Sequence, residues 1–275
     1  TSFLDENGGE RFPFGEEICY LVRAVMSNGQ TSCAANIECV EIEEDFAVLL
    51  QDSIDVTSVT NGEIQVSWPQ PSRIDTNFFP QPYTYTLLHT EGLAGAANFQ
   101  VVASGINFND TIFFDQGRNT VDIAHRYRVD TYDANGQLIA EGNVGSSIFL
   151  TTTPLNEAAR LEWTENVPWD NRIYYILRAD DDSGPLTLID SVPGLGLPSH
   201  TYLDTGLTNF EDYCYVVVSE GEYNSDEVPD SVRNASQRVC VIPIDMEPPC
   251  IGTIDFDTSK NCVDHQIVIT WTEPD

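Results

Sequence analysis

Basic residues are scarce in this sequence. Only 12 lysines and arginines stand against 44 aspartates and glutamates, so the 275-residue chain carries a formal net charge of −32 at pH 7. Nucleic acid is therefore not an expected partner, because binding to phosphates depends on lysine and arginine. An anionic membrane surface is not expected for the same reason. The charge instead favours solubility and offers many oxygen ligands for Ca²⁺.

Long apolar runs and helical periodicity are also missing. No run reaches the roughly 18 apolar residues that a membrane helix needs, and no stretch keeps a helical period over three turns. The first residues have neither the basic nor the apolar region of a signal peptide, and the last ones, Trp271 to Asp275, stop within a strand-like pattern. The sequence therefore predicts no direct membrane insertion and a chain that is a fragment of a larger protein.

Common signatures of metal and catalytic sites do not occur. The seven cysteines form no C-x-x-C pair and the four histidines are far apart, which argues against a zinc site. There is no G-x-S-x-G, P-loop or H-E-x-x-H motif. The histidines fall in different repeats or on separate predicted strands, so a nucleophile–His–Asp arrangement is not expected. We expect no catalytic residues, no enzymatic activity and no cofactor other than calcium, considered below.

The residues that are present favour strands. Apolar residues make up 41% and aromatic residues 10%, enough to build the hydrophobic cores that disordered acidic chains lack. Alternating apolar and polar runs are separated by Gly, Pro, Asn and Asp, which is typical of strands joined by turns. The sequence therefore predicts an all-β protein.

Three kinds of segment recur along the chain. In the first kind, apolar and polar residues alternate up to a final tryptophan, as in Ile64–Trp68, Ala159–Trp163 and Ile267–Trp271. A repeat of about 100 residues with seven short strands has the size of an immunoglobulin-like sandwich. The other two kinds are Tyr83–Leu88 with Ile173–Arg178, and Ile18–Ala24 with His125–Thr131 and Tyr213–Val218.

These segments resemble those of fibronectin type III domains, which carry a Trp at the end of strand B, a Tyr-rich strand C and a Leu-x5-Tyr step into strand F. Leu207 to Tyr213 has this step. The resemblance implies that the Tyr213 hydroxyl bonds to upstream backbone in a tyrosine corner. In the preceding repeat His125 aligns with Tyr213, although Val121 to Tyr127 offers another register. Ile18 takes this position in the first segment, so the corner bond is expected to be absent there.

The order of the motifs divides the chain into four segments. Residues 1–44 hold strands F and G of one domain, 45–153 and 154–244 hold a whole domain each, and 245–275 hold strands A and B of a further one. The joints are short and contain proline, which restricts hinge motion. The prediction is a tandem of immunoglobulin-like (fibronectin type III) β-sandwiches in an elongated array.

The cysteines occupy repeated positions. Cys19 and Cys214 share one place in strand F, and Cys39 and Cys240 share one place in the neighbouring strand G. We therefore predict the disulfides Cys19–Cys39 and Cys214–Cys240, each stabilising by about 3 kcal/mol in the chain-entropy model. Cys250 and Cys262 form a possible third pair, and Cys33 is left over, either free or bonded outside this chain. Disulfides indicate an oxidising compartment.

Three further sequence segments indicate a second resemblance. Ser147–Pro154, Val167–Asp170 and Asp245–Cys250, taken with the Trp, Tyr and Cys pattern, resemble the repeated sandwich regions of Bacteroidota surface proteins associated with gliding motility. Such proteins are exported by the type IX secretion system. The resemblance implies a protein secreted to the exterior of the outer membrane, at the bacterial cell surface.

The same resemblance implies a kind of modification. Members of that phylum O-glycosylate Asp-Ser/Thr when a small or apolar residue follows. Four positions at which the following residue is Ile or Val match this pattern, and we predict glycans on some of them, with ordinary surface residues as the alternative. The positions are Ser53, Thr111, Ser191 and Ser231.

Two acidic runs are candidates for calcium. Asp180, Asp181 and Asp182 follow predicted strand C, and Glu41 to Asp45 lies at a predicted domain joint. Carboxylates at such places can bind Ca²⁺, but charge runs are usually only solvated.

Trp169, after a proline in the predicted B–C loop, is either exposed and able to contact sugar or packed against its own domain.

The sequence thus predicts a non-catalytic structural and interaction array that supports adhesion or gliding. Its partners would be other domains of the same protein, surface or export components, or polysaccharide. One alternative is an accessory spacer region of a secreted polysaccharide-degrading enzyme. Another is a cargo or subunit bound by the export machinery.

Overall fold

The computed structural model describes residues 17–41, 48–72, 74, 76–93, 98–197, 199–223, 231–246, 254–257 and 268–271. The regular elements within these ranges are all β-strands. In chain order they are β1 (Glu17–Tyr20), β2 (Glu38–Glu41), β3 (Gln51–Val56), β4 (Gly62–Ser67), β5 (Thr84–Glu91), β6 (Gln100–Asn107), β7 (Ile112–Arg118), β8 (His125–Tyr132), β9 (Leu138–Ala140), β10 (Gly145–Ser146), β11 (Phe149–Leu155), β12 (Ala158–Thr164), β13 (Asp170–Ala179), β14 (Thr187–Pro193), β15 (Ser199–Thr205), β16 (Tyr213–Glu222), β17 (Val232–Ala235), β18 (Val239–Val241), β19 (Ile254–Asp257) and β20 (Val268–Trp271). Within the same ranges there is no helix that could cross a membrane.

The first sandwich is built from β3 to β10. One sheet has the order β3-β4-β7, and the other has the order β10-β8-β5-β6 with β9 also paired to β8. Strand β4 alternates buried and half-buried residues because one of its faces covers the core. At the end of this strand Trp68 is buried and meets Tyr85 edge-on, with ring centroids 5.4 Å apart.

The second sandwich repeats this plan with β11 to β18. Its sheets have the orders β11-β12-β15 and β14-β13-β16-β17, with β18 also paired to β16. Trp163 takes the place of Trp68 and meets Tyr174 with ring centroids 5.4 Å apart. In both units the three-stranded sheet corresponds to strands A, B and E of a fibronectin type III domain, and it faces the sheet that corresponds to strands C′, C, F and G. Strand G is split into two short pieces, β9 and β10 in the first unit and β17 and β18 in the second. The predicted fold class, a tandem of fibronectin type III-like sandwiches, is confirmed.

The predicted boundary between residues 153 and 154 is wrong. Strand β11 already begins at Phe149 and pairs with β12 along its whole length, including Pro154 opposite Ala159. Proline is tolerated here because β11 is the edge strand of its sheet, where an N–H group can be missing without loss of a ladder bond. The second sandwich therefore starts no later than residue 149, and Thr153-Pro154 is part of a strand and not a linker.

The two outer segments contribute one antiparallel strand pair each within the described residues. Strand β1 pairs with β2, and β19 pairs with β20. Their assignment to strands F and G and to strands A and B of further sandwiches stays a prediction.

Both of the main predicted disulfides are present. Cys19–Cys39 and Cys214–Cys240 each join residues that lie directly opposite in a strand pair, with Cα atoms 4.0 Å apart. Cys33 is exposed and free. Cys250 and Cys262 lie outside the described residues, so their pairing stays a prediction.

The corner before strand F is made in two ways. In the second sandwich the backbone N–H of Thr208 donates to the Tyr213 hydroxyl at 3.0 Å, which is the predicted tyrosine corner. In the first sandwich Nε2 of His125 lies 2.9 Å from the carbonyl oxygen of Asn119 and serves the same purpose. His125 is therefore the counterpart of Tyr213, and the alternative register that would place Tyr127 there is excluded.

Candidate functional site: the junction between the two sandwiches

Strand β3 of the first sandwich lies alongside β17 of the second. Asn234 on β17 accepts hydrogen bonds at Oδ1 from the backbone N–H of Asp52 and from the hydroxyl of Ser53, both at 3.2 Å. The backbone N–H of Ala235 in turn donates to Ser53 Oγ at 3.0 Å. Asn234 is fully buried. Strand β3 thus completes the edge of the second sandwich through side chains instead of through a backbone ladder.

Other hydrogen bonds extend this contact in both directions. The Nδ2 group of Asn234 donates to the carbonyl oxygen of Ser146 at 3.0 Å, and Ser146 Oγ accepts from the backbone of Asn166 at 2.7 Å. The backbone N–H of Arg238 donates to Thr57 Oγ1 at 2.8 Å. Buried polar groups with complete hydrogen bonding specify one arrangement, because any slip would leave several of them without partners.

An apolar contact continues the core of the first sandwich into the second. Leu49, fully buried, shares one hydrophobic cluster with Trp169 and Val232 of the second sandwich. Trp169 is 5% exposed, so of the two alternatives for this residue the packed one holds and the exposed, sugar-contacting one is excluded. The ring instead packs against its own domain and across the junction, where Tyr223 lies edge-on to it at 5.9 Å.

Tyr223 also ties the two sandwiches together through its hydroxyl group. The hydroxyl donates to the carbonyl oxygen of Leu49 at 2.6 Å and accepts from Asn143 Nδ2 at 3.0 Å. Asn143 Oδ1 accepts from the backbone N–H of Leu49 at 2.9 Å. Burial raises the pKa of Tyr223 above its usual range, so the hydroxyl stays protonated and able to donate at neutral pH.

A carboxyl group is buried behind the junction. Asp52 has 0% exposure, and both of its carboxyl oxygens lack a hydrogen-bond partner. Burial raises the pKa of Asp52 well above its usual range, and the neighbouring Asp115 raises it further. The backbone of the same residue holds Asn234, so this buried group and the interdomain contact share one residue.

Each sandwich also contains a buried Tyr–Asp–Arg group. Tyr127 donates to Asp115 Oδ2 at 2.7 Å, where Arg118 Nε also binds at 2.7 Å. In the second sandwich Tyr215 donates to Asp204 Oδ2 at 2.7 Å, and the guanidinium that binds there, at 2.9 Å, belongs to Arg178. The sequence reasoning missed this group. The equivalent tyrosines two residues after His125 and Tyr213 were the available signal.

Two histidines that are far apart in the sequence, His89 on β5 and His125 on β8, lie next to each other in the structure. Nε2 of His89 lies 2.8 Å from Nδ1 of His125. Because Nε2 of His125 faces a carbonyl oxygen, it carries the proton, and Nδ1 accepts from His89. Burial, Arg118 and the paired histidine lower the pKa of His89 to about 4. Burial also lowers the pKa of His125, so the pair is neutral at pH 7.

A cleft near the junction belongs to the second sandwich. Asn171 Nδ2 and the Tyr174 hydroxyl both donate to Glu165 Oε1 at 2.6 Å, and Asn171 Oδ1 accepts from the Trp169 indole at 2.9 Å. Burial raises the pKa of Glu165 to about 7, although both hydrogen bonds oppose this shift. The cleft of about 670 Å³ is lined by Glu165, Asn166, Val167, Trp169, Asp170, Asn171, Arg172, Tyr174, Gly194, Gly196 and Leu197.

Each carboxylate of the acidic run after β13 has its own partner. Asp180 pairs with Arg178 at 3.0 Å, and Asp181 Oδ1 accepts from the backbone of Ser183 at 2.8 Å. Asp182 turns instead toward the disulfide, with Oδ1 3.4 Å from Cys240 Sγ. The three carboxylates face different partners in this arrangement, and calcium at this run stays a prediction. The other run lies mostly outside the described residues, so calcium there stays a prediction.

The four predicted glycosylation positions differ in accessibility. Ser53 is 6% exposed and bonded to Asn234 and Ala235. A glycan at Ser53 is incompatible with this junction, so the prediction is corrected there. Thr111 is half-buried, whereas Ser191 and Ser231 are exposed. Modification of these three residues stays a prediction.

Comparisons with known proteins give likeness of fold only. No protein-family model and no curated protein matches the chain. Among solved structures 140 chains match. The FN1-FN3 domains of chicken CNTN1 match at 11% identity and a TM-score of 0.27, over 84% of this chain and 76% of that one. Chicken interferon gamma receptor alpha chain matches at 11% identity and a TM-score of 0.27, over 71% of this chain and 98% of that one. Strand order and pairing therefore define the class, a tandem of fibronectin type III-like sandwiches.

Proposed function

We propose that this chain is a structural and interaction array of a secreted bacterial cell-surface protein, where it supports adhesion or gliding motility. The observation that carries the proposal is the junction, in which Asn234 joins β17 to β3 and Trp169 joins the two cores. A junction with buried hydrogen bonds and a shared apolar cluster resists bending, which is what a spacer that positions a distant module requires.

Two further features support this function. The disulfides Cys19–Cys39 and Cys214–Cys240 close strand pairs of the kind that persist in oxidising surroundings. The net charge of −32 keeps neighbouring copies apart by repulsion at low salt. Both suit a protein that works outside the cell and contacts other molecules through chosen surfaces.

Tumbling of the two sandwiches in solution tests the stiff junction. ¹⁵N relaxation of the whole chain is expected to give the two sandwiches one common correlation time. The variant Asn234→Ala is expected to separate them, because it removes three interdomain hydrogen bonds at once. Asn209→Ala is the matched control, since Asn209 makes its bonds within the second sandwich, to Glu157 and Asn156. Independent tumbling in the wild type would overturn the spacer function.

The adhesive part of the proposal needs a separate measurement. Beads coated with the whole chain are expected to be retained on surfaces or cells that bind the parent protein, and soluble chain is expected to compete. Retention equal to that of beads carrying an unrelated protein of similar acidity would contradict adhesion while leaving the stiff junction intact.

A second candidate, an accessory region that binds polysaccharide, is favoured by the cleft at Glu165. Its wall carries carboxyl, amide and hydroxyl groups beside aromatic rings, the groups that bind sugars in many proteins. Retardation of the chain in gels that contain polysaccharide, abolished by Arg172→Ala at the exposed rim, would favour this role. Unchanged mobility across a panel of polysaccharides would remove it.

A further inference from the structure

The position of Asp52 makes the stability of the junction depend on whether the carboxyl group of this residue is protonated. Its carboxyl group lies inside the first sandwich with no exposed surface and no hydrogen-bond partner for either oxygen. An ionised carboxylate is very costly in such a place, because neither water nor a fixed donor compensates its charge. The folded arrangement therefore requires Asp52 to be neutral.

Among the residues that the structure describes, the surroundings of Asp52 offer no cation that is free to balance it. Arg118 on β7 already binds Asp115, and the Tyr127 hydroxyl also donates to Asp115. On β17 Arg233 binds Glu220 instead. Further titratable groups near this core or on the adjoining strand are His89 on β5, His125 on β8 and Glu63 on β4, whose side chain bonds to Gln116 on the outer face.

The same residue is the anchor of the second sandwich. The backbone N–H of Asp52 and the side chain of Ser53 hold Asn234, and Thr57 holds Arg238 a few residues further along. Strand β3 has a backbone ladder on one side only, to β4. Release of β3 would let the carboxyl group reach water, and it would break these three contacts with the second sandwich in the same step.

We propose that Asp52 is a proton-dependent latch: the neutral carboxyl group keeps β3 seated and the two sandwiches locked, and its ionisation releases β3 and opens the junction. The stiff spacer would therefore become a hinged one as the pH rises. This inference rests on the junction that carries the proposed function, and it adds a means by which that junction is regulated.

Hydrogen exchange of individual backbone amides tests the latch in the whole chain. The reporters are the amides of Asp52 and Ala235, which both donate across the junction. After correction for the intrinsic effect of pH, their protection is expected to fall by up to about tenfold per pH unit as the pH rises above about 4, the ordinary pKa of an exposed aspartate, because one proton is released in each opening. The amide of Val129, in the core of the first sandwich, is expected to keep its protection.

Variants isolate the contribution of Asp52. Asp52→Asn, and Asp52→Leu as a second variant without a polar group, are expected to give flat and higher protection at both reporters. Glu165→Gln is the matched control, because it removes another buried carboxyl group near the junction, one that bonds within the second sandwich. The slope is expected to persist in this control.

Three results would overturn the latch. One is an identical slope in Asp52→Asn. Another is a parallel loss of protection at Val129, which would mean that the whole sandwich unfolds. The third is flat protection in the wild type. This last result would leave the proposed function standing if the two sandwiches still tumble together.

Discussion

Tyr215 donates its hydroxyl proton to Asp204 at 2.7 Å in the interior of the second sandwich, and Tyr127 and Asp115 repeat this pair at the same distance in the first. Burial raises the pKa of Tyr215, and the adjacent Asp204 raises it further. In each sandwich an arginine completes the group. The repeated arrangement gives both cores one fixed polar contact between strands E and F.

Removing the carboxylate from this group is expected to destabilise the second sandwich. Asp204→Asn keeps a single acceptor oxygen for two donors and leaves the Arg178 guanidinium without its buried counter-charge. Hydrogen bonds to charged groups contribute about 1.5–3 kcal/mol, so a loss of that size is expected. Urea unfolding of the variant and the wild type measures it. The control is Asp180→Asn, because Asp180 also pairs with Arg178 but is exposed. This variant should change the unfolding free energy by less than about 0.5 kcal/mol.

Truncation of the Trp169 side chain is expected to lower the stability of both sandwiches and to uncouple their unfolding. The ring fills a cluster that contains residues of both units, so Trp169→Ala leaves a cavity that costs about 3–5 kcal/mol. Calorimetry of the variant is expected to show a lower melting temperature and two separated transitions. Phe210→Ala removes an aromatic ring that is 71% exposed and is expected to leave the thermogram unchanged. A Trp169→Ala protein that melts like the wild type would contradict the shared cluster.

Acid is expected to destabilise the first sandwich through its histidine pair. The folded pKa of His89, about 4, lies below the ordinary value of 6.5, so the unfolded chain binds more protons between these two values. The stability that the neutral pair contributes is present above about pH 6.5 and is lost as the pH falls toward 4. Melting temperatures measured across this range are expected to decline by several degrees.

The variant His89→Gln separates the histidine contribution from that of the many carboxylates. Glutamine can still donate to His125 but does not titrate, so the acid-induced decline is expected to be shallower than in the wild type. An equal decline in the two proteins would show that the pair does not contribute to the pH dependence.

Removal of the second disulfide is expected to destabilise its sandwich without abolishing the fold. The double variant Cys214→Ala/Cys240→Ala opens the link between β16 and β18, and a loss of about 3 kcal/mol is expected from the chain-entropy model. Guanidinium unfolding of the oxidised wild type and the variant gives this difference. Reduction of the wild type should reproduce it, and no difference between oxidised and reduced wild type would contradict it.

The strand pattern predicted the two sandwiches well, since alternation of apolar residues records which side chains face a core. Trp68 and Trp163 repeat at one position of one strand and are both buried in the cores, as their spacing indicates. The boundary near Pro154 was misplaced because a proline at a sheet edge and a proline in a linker look alike in sequence. The structure separates them through the pairing of Pro154 with Ala159.

The sequence by itself determined the all-β class, the repeat, and the disulfides Cys19–Cys39 and Cys214–Cys240, because each depends on local periodicity or on equivalent positions in neighbouring strands. Only the tertiary structure decided the junction. Asp52 and Asn234 meet across 182 residues of chain, and no local pattern marks either as buried. The burial of Trp169 and the pairing of His89 with His125 are of the same kind. Such contacts depend on how the two sandwiches pack and how their strands are ordered. They join residues that are far apart in the sequence, so they are visible only in the folded structure.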